Sequence, residues 1–358
     1  MDRSSRRLAA PTSWLRPSLR DELTVGAGHH HWGANAVEIE AMRYRPRREL
    51  TAALRRYDLI QVVCGGAAWA APVLRCGPPV VVQVATTAAW ERESQLPASK
   101  TLLRAWRRGM TGLTARLEAT ALRQATAVLV ENDVMLDHVR SLGQANVFKL
   151  APGVDTDTFR PSDDGWRSDG YLLSVCRLGD PRKGLDRMVT AYHRLVISGH
   201  PVPDLVLAGR GNLPASVSGL ISQFGLANRV TVLSDVPAGE LPSLYQGASV
   251  FLQTSYEEGL GLSSLEAMAC GLPVVATRTH GASEVVVDGV TGWLVRQDEV
   301  HIAAAIADGV LRILRGDGGA FAPQARQRCV RKFSRDVCLQ RFTGLYDALL
   351  TRSAVATR

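Results

Sequence analysis

The stretch EGLGLSSLEAMACGLPVVA, residues 258–276, decides the fold of the second half of this chain. Its order predicts a glycine-led loop, a helix that starts near Gly261, a glycine stop and a buried strand. The first turn of a helix carries unpaired N–H groups and the positive end of the helix dipole, which suits a diphosphate. Glu258 stays in the loop and Glu266 lies more than a turn along the helix, so the pair suits an extended ligand such as a nucleotide-sugar. The alternative is an ordinary α/β helix with two surface glutamates.

Short apolar runs alternate with amphipathic helical patterns almost to the end of the chain. The runs are nearly continuous in Val, Leu, Ile and Ala, which is typical of parallel strands covered on both faces. The predicted strands are Leu59–Cys64, Val80–Ala85, Ala127–Val130, Val147–Leu150, Leu172–Val175, Leu205–Ala208, Val230–Leu233, Val250–Gln253 and Val274–Ala276. The predicted helices are 47–56, 102–124, 133–142, 184–198, 214–225, 239–247, 261–270, 300–315 and 321–350. Repeated β-α units of this kind predict an α/β fold with doubly wound sheets.

The length of 358 residues, with 46% hydrophobic residues, fits two domains of ordinary size. A polar, turn-rich stretch at 161–165 separates a first α/β series from a fresh one. We therefore predict an N-terminal domain over residues 1–161, a second domain over 166–334 and a C-terminal helix over 335–358.

Arginine supplies nearly all of the positive charge behind the net +8, since the chain has only four lysines. No nucleic-acid-binding motif is present and the arginines are not interleaved with aromatic residues, which argues against a nucleic-acid partner. The first half is the more basic one. This pattern is typical of a solvated surface, or of a surface that attracts anionic lipid headgroups.

The predicted compartment is the cytoplasm. None of the six cysteines forms a Cys-x-x-Cys pair, and several lie in apolar patterns, as expected for buried thiols in a reducing compartment. No signal peptide is recognisable, and no apolar run reaches the ~18 residues of a membrane span. Peripheral contact with the inner face of the membrane remains compatible with the basic first half.

A second motif, SVCRLGDPRKGL at 174–185, begins with a buried strand and ends at a helix start. Ligands of α/β sheets bind beyond the carboxyl ends of the strands, where this loop places Arg177 and Lys183. The planar guanidinium of an arginine, which can donate two parallel hydrogen bonds, and the compact positive charge of a lysine both suit a diphosphate. A merely solvated βα loop is the alternative, and the spacing argues against it.

These motifs, together with APGVDTDTFRP at 151–161, occur in an order that resembles the retaining glycosyltransferases of the GT-B fold, glycosyltransferase family 4 (group 1). The likeness is strong from about residue 126 to 296. It implies two Rossmann-like doubly wound domains facing a central cleft, with the last helix crossing back to the first domain. It also implies a hexosyltransferase-type enzyme that moves a sugar from a nucleotide-diphosphate sugar to an acceptor with retention of anomeric configuration.

The resemblance implies roles for individual residues of this chain. The catalytic set would be Glu258 at the donor sugar, with Arg177 and Lys183 on the leaving diphosphate. Glu266 would hold the ribose, and the N–H groups around residues 259–262 would meet the phosphates or the sugar. The donor-binding set is Gly209, Gly211, Val232, Gly259, Leu260, Gly261, Leu262 and Glu266.

No metal and no cofactor other than the nucleotide-sugar co-substrate are expected. Asp155-Thr156-Asp157 mimics the Asp-x-Asp metal site of a different glycosyltransferase fold. Its surroundings are loop and linker, and the family that the chain resembles is not usually metal-dependent, so we predict that this pair binds no metal.

The first half departs from the family pattern. It opens with a polar, arginine-rich stretch instead of a strand and a glycine-rich loop, which is consistent with a missing first β-α unit. The family's sugar-side histidine falls at about Ala85, where no histidine stands. His29–His31 are predicted to form a loop near the cleft instead of a metal site, because adjacent extended side chains point to opposite sides.

Two rival functions remain open from the sequence. One is a nucleotide-sugar-binding protein with little or no transferase activity, and the other is a sugar-nucleotide epimerase of the same fold. The expected partners are a nucleotide-sugar donor and an acceptor that is a lipid, a glycan or a small molecule. The base, the sugar and the oligomeric state do not follow from the sequence.

Overall fold

The computed structural model describes residues 5–8, 10–15, 19–24, 27–34, 39–45, 48–93 and 102–356. Contacts divide the chain into two compact units. Unit 1 comprises the chain up to Val130, Met135–Lys149 and the residues from Leu345 onward, and unit 2 comprises Glu131–Val134 and Leu150–Gly344.

Residues 150–161, which the sequence analysis placed in the first domain, lie with unit 2. The N–H of Val154 donates to the carbonyl of Phe333 at 2.8 Å, and the N–H of Arg335 donates to the carbonyl of Val154 at 2.8 Å. The guanidinium of Arg326 also donates to the carbonyls of Thr156 and Phe159. These bonds tie the segment to the end of the second unit.

Unit 1 contains a two-stranded antiparallel sheet and a four-stranded parallel sheet. Its strands are β1 (Leu19–Thr24), β2 (Ala27–Trp32), β3 (Ile60–Cys64), β4 (Val80–Val84), β5 (Ala127–Val130) and β6 (Val147–Lys149). Its helices are α1 (Glu40–Arg43), α2 (Arg48–Leu54), α3 (Ala88–Glu93), α4 (Leu102–Gln124) and α5 (Asp133–Ser141). The parallel sheet runs in chain order, β3-β4-β5-β6, and every residue of β4 and β5 is buried.

The pairing of β1 with β2 was not predicted, and it corrects the loop expected for His29–His31. All three histidines lie in β2, where His30 is opposite Asp21 and His31 is opposite Arg20. Polar residues at most positions hid the strands, because a strand is recognised by apolar or alternating runs.

Unit 2 is built on a six-stranded parallel sheet. Its strands are β7 (Tyr171–Arg177), β8 (Leu205–Arg210), β9 (Val230–Ser234), β10 (Ala248–Gln253), β11 (Val274–Thr277) and β12 (Gly292–Val295). Its helices are α6 (Leu185–Ile197), α7 (Ala215–Gln223), α8 (Leu241–Gln246), α9 (Leu262–Ala269), α10 (His280–Val285), α11 (Ile302–Arg312) and α12 (Gly318–Phe333). A final helix, α13 (Arg335–Ala356), follows.

The strand order β12-β11-β10-β7-β8-β9 reverses direction between β7 and β10. The chain leaves β7 toward β8 on one side and later returns as β10 on the other. Such a reversal opens a crevice at the carboxyl ends of the two strands, which is the usual ligand site of a doubly wound sheet.

Two predictions for the end of the chain were wrong. No strand was predicted beyond Val274–Ala276, but residues 292–295 form strand β12, which pairs in parallel with β11. The predicted helix over 321–350 is interrupted at Ser334, whose backbone is extended and which makes a β-bridge with Val154. A run of only three apolar residues after Gly292 gives too short a signal for a strand.

None of the helices in the described ranges combines the length and the apolar character that crossing a membrane requires.

Glu118 of α4 is a buried carboxylate that the sequence analysis did not single out. Its side chain is 3% exposed, and both oxygens accept a hydrogen bond from the N–H of Ala88 at the start of α3. Burial raises the pKa of Glu118 to about 7, although the hydrogen bonds from Ala88 and Ala67 and the charge of Arg92 act to lower it. The carboxyl therefore titrates near neutral pH in the folded unit.

Glu118 is expected to make the stability of unit 1 depend on pH. Because the folded-state pKa lies above the ordinary 4.5, the folded chain binds more protons here than the unfolded chain between pH 4.5 and 7. Stability from this group is therefore lost as pH rises through that window, by on the order of 3 kcal/mol, and changes no further above it. Between pH 4.5 and 7, the melting midpoint of wild type should fall with rising pH relative to that of Glu118→Gln. Glu49→Gln, which removes an exposed carboxyl of the same unit, should give no such divergence.

Candidate active site

The crevice at the strand reversal holds an ion pair between two of the predicted catalytic residues. Nζ of Lys183 lies 2.6 Å from Oε2 of Glu258, and the two side chains are 15% and 17% exposed. Lys183 ends the short 3₁₀ turn that follows β7, and Glu258 lies in the loop that follows β10. The structure therefore brings together two residues that are 75 positions apart in the chain.

Hydrogen bonds to backbone carbonyls hold these two loops together. The hydroxyl of Thr254 donates to the carbonyl of Gly184 at 2.9 Å, and the N–H of Tyr256 donates to the carbonyl of Arg182 at 2.7 Å. On the other side, the N–H of Gly281 in α10 donates to the carbonyl of Glu258 at 2.9 Å. The Glu258 loop is thus held between the loop after β7 and the start of α10.

Arg177, the third predicted catalytic residue, makes an ion pair with Asp180 instead of contacting Glu258. Its guanidinium lies 2.8 Å from Asp180, and its side chain is 61% exposed. The buried Arg182 binds both oxygens of the same carboxylate and reaches Glu257 at 3.8 Å. Burial of Asp180 acts to raise its pKa, but the bonds from Arg182 and the charge of Arg177 bring the pKa below its ordinary value. Asp180 therefore stays charged and orients two cations at the rim of the crevice.

The start of α9 matches the predicted anion site in its backbone. Gly261 precedes the helix with a left-handed φ of +97°, a conformation that a glycine adopts without strain. Leu260 is buried and Leu262 is 49% exposed. In the part of the chain that the structure describes, the N–H groups of Gly261 and Leu262 donate to no acceptor. Gly259 directly precedes these residues, so the glycine-led turn leaves donors available for a phosphate or sugar oxygen.

Glu266 lies in the second turn of α9, apart from the Lys183–Glu258 pair. Its Oε2 accepts a hydrogen bond of 2.7 Å from the hydroxyl of Tyr245, whose ring is fully buried. Burial raises the pKa of Glu266, and the hydrogen bond from Tyr245 opposes that shift. The sequence motifs did not predict this bond.

The remaining predicted donor-binding residues lie on the β8–β9 side of the sheet. Gly209 is part of strand β8, in register with Cys176 and one residue beyond the predicted strand end. Gly211 follows the strand and donates its N–H to Asp235 at 3.0 Å. Val232 lies inside the edge strand β9, in register with Leu207, and is 38% exposed. Val232 therefore stands two strands away from β7 and before the carboxyl end of β9.

Gln253, at the end of β10, is a buried polar residue that the sequence analysis missed. It is 6% exposed and its Oε1 has no hydrogen-bond partner. It lines a cavity of about 10 Å³, room for a single water molecule, together with Lys183, Ser255 and Glu258. In the sequence, a glutamine at the end of a largely apolar strand could have marked this residue as a candidate site residue.

In the Asp-x-Asp segment, the first carboxylate already has backbone N–H groups and an arginine as partners. Asp155 accepts from the N–H groups of Asp157 and Thr158 and makes an ion pair with Arg335 at 2.7 Å. These bonds lower its pKa. Over the described ranges no group of three or more His, Cys, Asp or Glu side chains is arranged to hold a metal ion. Metal independence itself stays a prediction.

Residues 161–332 match the protein family described as glycosyl transferases group 1. These 172 residues are just under half of the chain. The group 1 segment contains the whole crevice, from Arg177 to Glu266.

Two curated relatives are similar to the chain over part of its length. One is the GDP-mannose-dependent α-(1-6)-phosphatidylinositol monomannoside mannosyltransferase of Mycolicibacterium smegmatis, 38% identical over 178 residues. The other is the D-inositol 3-phosphate glycosyltransferase of Mycobacterium bovis, 32% identical over 232 residues. The matches cover 44% and 61% of this chain and 46% and 47% of those proteins. The chain thus spans about half the length of the curated relatives it matches.

Solved structures of glycosyltransferases share the fold of this chain. Sucrose-phosphate synthase from Thermosynechococcus elongatus has a TM-score of 0.72 and 22% identity, with 94% of this chain and 86% of that chain covered. HepE of Anabaena in complex with UDP-glucose has a TM-score of 0.68 and 18% identity, with 89% and 85% covered. The predicted GT-B class, two parallel-sheet Rossmann-like domains, is confirmed.

Proposed function

We propose that this chain is a hexosyltransferase that moves a sugar from a nucleotide-diphosphate sugar to an acceptor hydroxyl, with retention of anomeric configuration. The observation that carries the proposal is the Lys183–Glu258 pair, 2.6 Å apart at the point where the strand order reverses. It puts a cation for a diphosphate and a carboxylate for a sugar in one crevice.

Each of the predicted residues has a task in this reaction. As the bond between the anomeric carbon and the phosphate oxygen breaks, negative charge grows on the leaving diphosphate. Lys183, Arg177 and the N–H groups at the start of α9 would stabilise that charge. Glu258 would stabilise the positive character that develops on the sugar. The departing phosphate would take the proton of the acceptor hydroxyl, so the proposal needs no separate protein base.

Cationic side chains would replace a metal ion in this mechanism. Lys183 is held in place by Glu258, and Arg177 is held by Asp180 at 2.8 Å. A diphosphate that displaced these carboxylates would keep both cations paired. We therefore propose a metal-independent enzyme with no cofactor besides the donor.

The names of the relatives suggest where to look for donor and acceptor. One relative is named as GDP-mannose-dependent, and both names contain an inositol-bearing acceptor. We propose GDP- or UDP-hexose as donor and an inositol phosphate or an inositol lipid as the first acceptors to test. Six free cysteines fit a reducing compartment, which supports the cytoplasm as the location. A lipid acceptor would add peripheral contact with the membrane.

The test combines nucleotide binding with transfer. Melting midpoints are measured with UDP, GDP and their hexose conjugates. Saturation at ~100 times the dissociation constant adds about 2.7 kcal/mol, which shifts the midpoint by a few degrees. The sugar conjugate of the nucleotide that binds is then incubated, with EDTA present, with inositol phosphate or with vesicles containing phosphatidylinositol.

A glycosylated product with retained anomeric configuration, formed in EDTA, is the expected result. Binding without product from any acceptor would instead favour a nucleotide-sugar-binding protein. Conversion of the donor without any acceptor would favour an epimerase. A folded sample whose midpoint no nucleotide shifts would overturn the donor site.

A further inference from the structure

The fully buried Tyr245 connects the core of unit 2 to the crevice. Its ring meets Phe159 edge-on, with centroids 5.8 Å apart, and packs at a tilt against Phe251 at 5.8 Å. Its hydroxyl ends at Oε2 of Glu266, 2.7 Å away. A ring held by two aromatic neighbours has little freedom to turn, so the direction of its O–H group is set by the core.

This bond leaves one carboxylate oxygen of Glu266 without a protein donor. The contacts of the described residues place a donor on Oε2 and none on Oε1. The carboxylate is half-buried, so its orientation depends on that single hydroxyl. Cys270, a neighbouring titratable group, stays neutral because burial raises its pKa to about 12. The oxygen that faces away from Tyr245 is therefore an oriented acceptor for two hydroxyl donors on one ligand.

We propose that Tyr245 is a positioning residue that gives the donor site its selectivity for ribose over deoxyribose. By fixing Oε2, it aims the carboxylate of Glu266 at the adjacent 2′ and 3′ hydroxyls of the donor nucleotide. This inference rests on the proposed function, in which Glu266 holds the ribose.

The first experiment compares the affinity of UDP and GDP with that of their 2′,3′-dideoxy forms, by calorimetry on the full chain. Loss of two hydrogen bonds to a carboxylate should weaken wild-type binding about 150-fold. In Tyr245→Phe the preference for ribose should fall to about threefold, while the affinity for the dideoxy form stays unchanged. A purely structural role would weaken both forms alike.

Tyr171→Phe is the matched control. The hydroxyl of Tyr171 donates to the carbonyl of Leu244 at 2.6 Å, so this variant also removes one tyrosine hydroxyl bond, here to α8, the helix that carries Tyr245. It does not touch Glu266. Its ribose preference should equal that of wild type.

The pH dependence of the ribose preference gives a second readout. Protonation of Glu266 removes an acceptor, so the preference should be lost as pH falls through its pKa. Without the hydroxyl of Tyr245, burial raises that pKa unopposed. The loss in Tyr245→Phe should therefore begin at a higher pH than in wild type.

Glu266→Ala separates failure of this inference from failure of the proposed function. If Glu266→Ala keeps the wild-type ribose preference, Glu266 does not hold the ribose, and both statements fall. If Glu266→Ala loses the preference but Tyr245→Phe keeps it with an unshifted pH profile, the role of Tyr245 alone is overturned.

Glu266→Gln covers the case in which Tyr245→Phe does not fold. With the hydroxyl of Tyr245 fixed as a donor, the amide oxygen must face it, and the NH₂ group must face the ribose. The NH₂ group can still donate to the ribose oxygens, so the ribose preference of Glu266→Gln should fall well below that of wild type and stay above that of Glu266→Ala. A wild-type ribose preference in Glu266→Gln would overturn the inference, because an amide whose oxygen is held by Tyr245 offers the ribose no acceptor.

Discussion

Lys183→Met should lower kcat/KM for sugar transfer by about 10²–10³-fold, because loss of one oriented group that stabilises transition-state charge typically has an effect of this size. The methionine keeps most of the length and apolar contact of the lysine but removes its charge. Removing the charge of Lys183 has two effects in this crevice. The leaving diphosphate loses a cation, and the partly buried carboxylate of Glu258 loses its partner at 2.6 Å. Steady-state kinetics with the donor at several concentrations measure the effect.

Two further variants make this result specific. Lys149→Met removes an exposed lysine from β6 of unit 1 and should leave transfer unchanged. Lys183→Arg keeps the charge and should recover part of the activity, limited by the larger, planar guanidinium. If Lys183→Met retained more than a tenth of wild-type activity, the leaving-group role of Lys183 would be wrong.

Gly281→Ala should reduce transfer by about 10–10²-fold even though the residue carries no functional group, because a displacement of about 1 Å at a reacting centre has an effect of this order. A Cβ atom at this position would lie 2.5 Å from the Cα and N atoms of Leu260. These are backbone atoms of the Glu258 loop, which cannot step aside as a flexible side chain can. The loop would have to move, and the carboxylate would move with it.

Gly239→Ala is the matched control for this variant. A Cβ atom there meets nothing within 4 Å. Gly239→Ala should keep both activity and melting midpoint, whereas Gly281→Ala should lose about 1–3 kcal/mol of stability from overpacking. Full activity in a folded Gly281→Ala sample would mean that the position of the loop does not limit the reaction.

The strands that form both sheet centres could be predicted from sequence because they are buried on both faces. β4, β5 and β11 consist of valine, leucine and alanine apart from Gln83 and Thr277, and the structure has them within a residue of the predicted bounds. The strands that were missed carry a weaker signal. β1 and β2 are rich in charged residues and histidine, and β12 has only three apolar residues after a glycine.

The candidate site was predictable where the motif lies at the end of a strand. Arg177 and Lys183 follow β7 and Glu258 follows β10, so the topology of the sheet brings them near each other. The pairing of side chains was not predictable. Asp180 binds Arg177 three positions away, and Tyr245 binds Glu266 at a separation of 21 positions. Both contacts depend on side-chain rotamers, which the order of the strands does not specify.

The insertion of β7 between β8 and β10 has a consequence for folding during synthesis. β7, β8 and β9 leave the ribosome first and can pair as soon as they emerge, whereas β10 is made only after residue 247. Until β10 docks, one edge of β7 is unpaired, and an unpaired edge is a template for association with other chains. The same docking event closes that edge and delivers Glu258 to Lys183. A nascent chain is therefore expected to cover the edge of β7 and gain its crevice in a single late step.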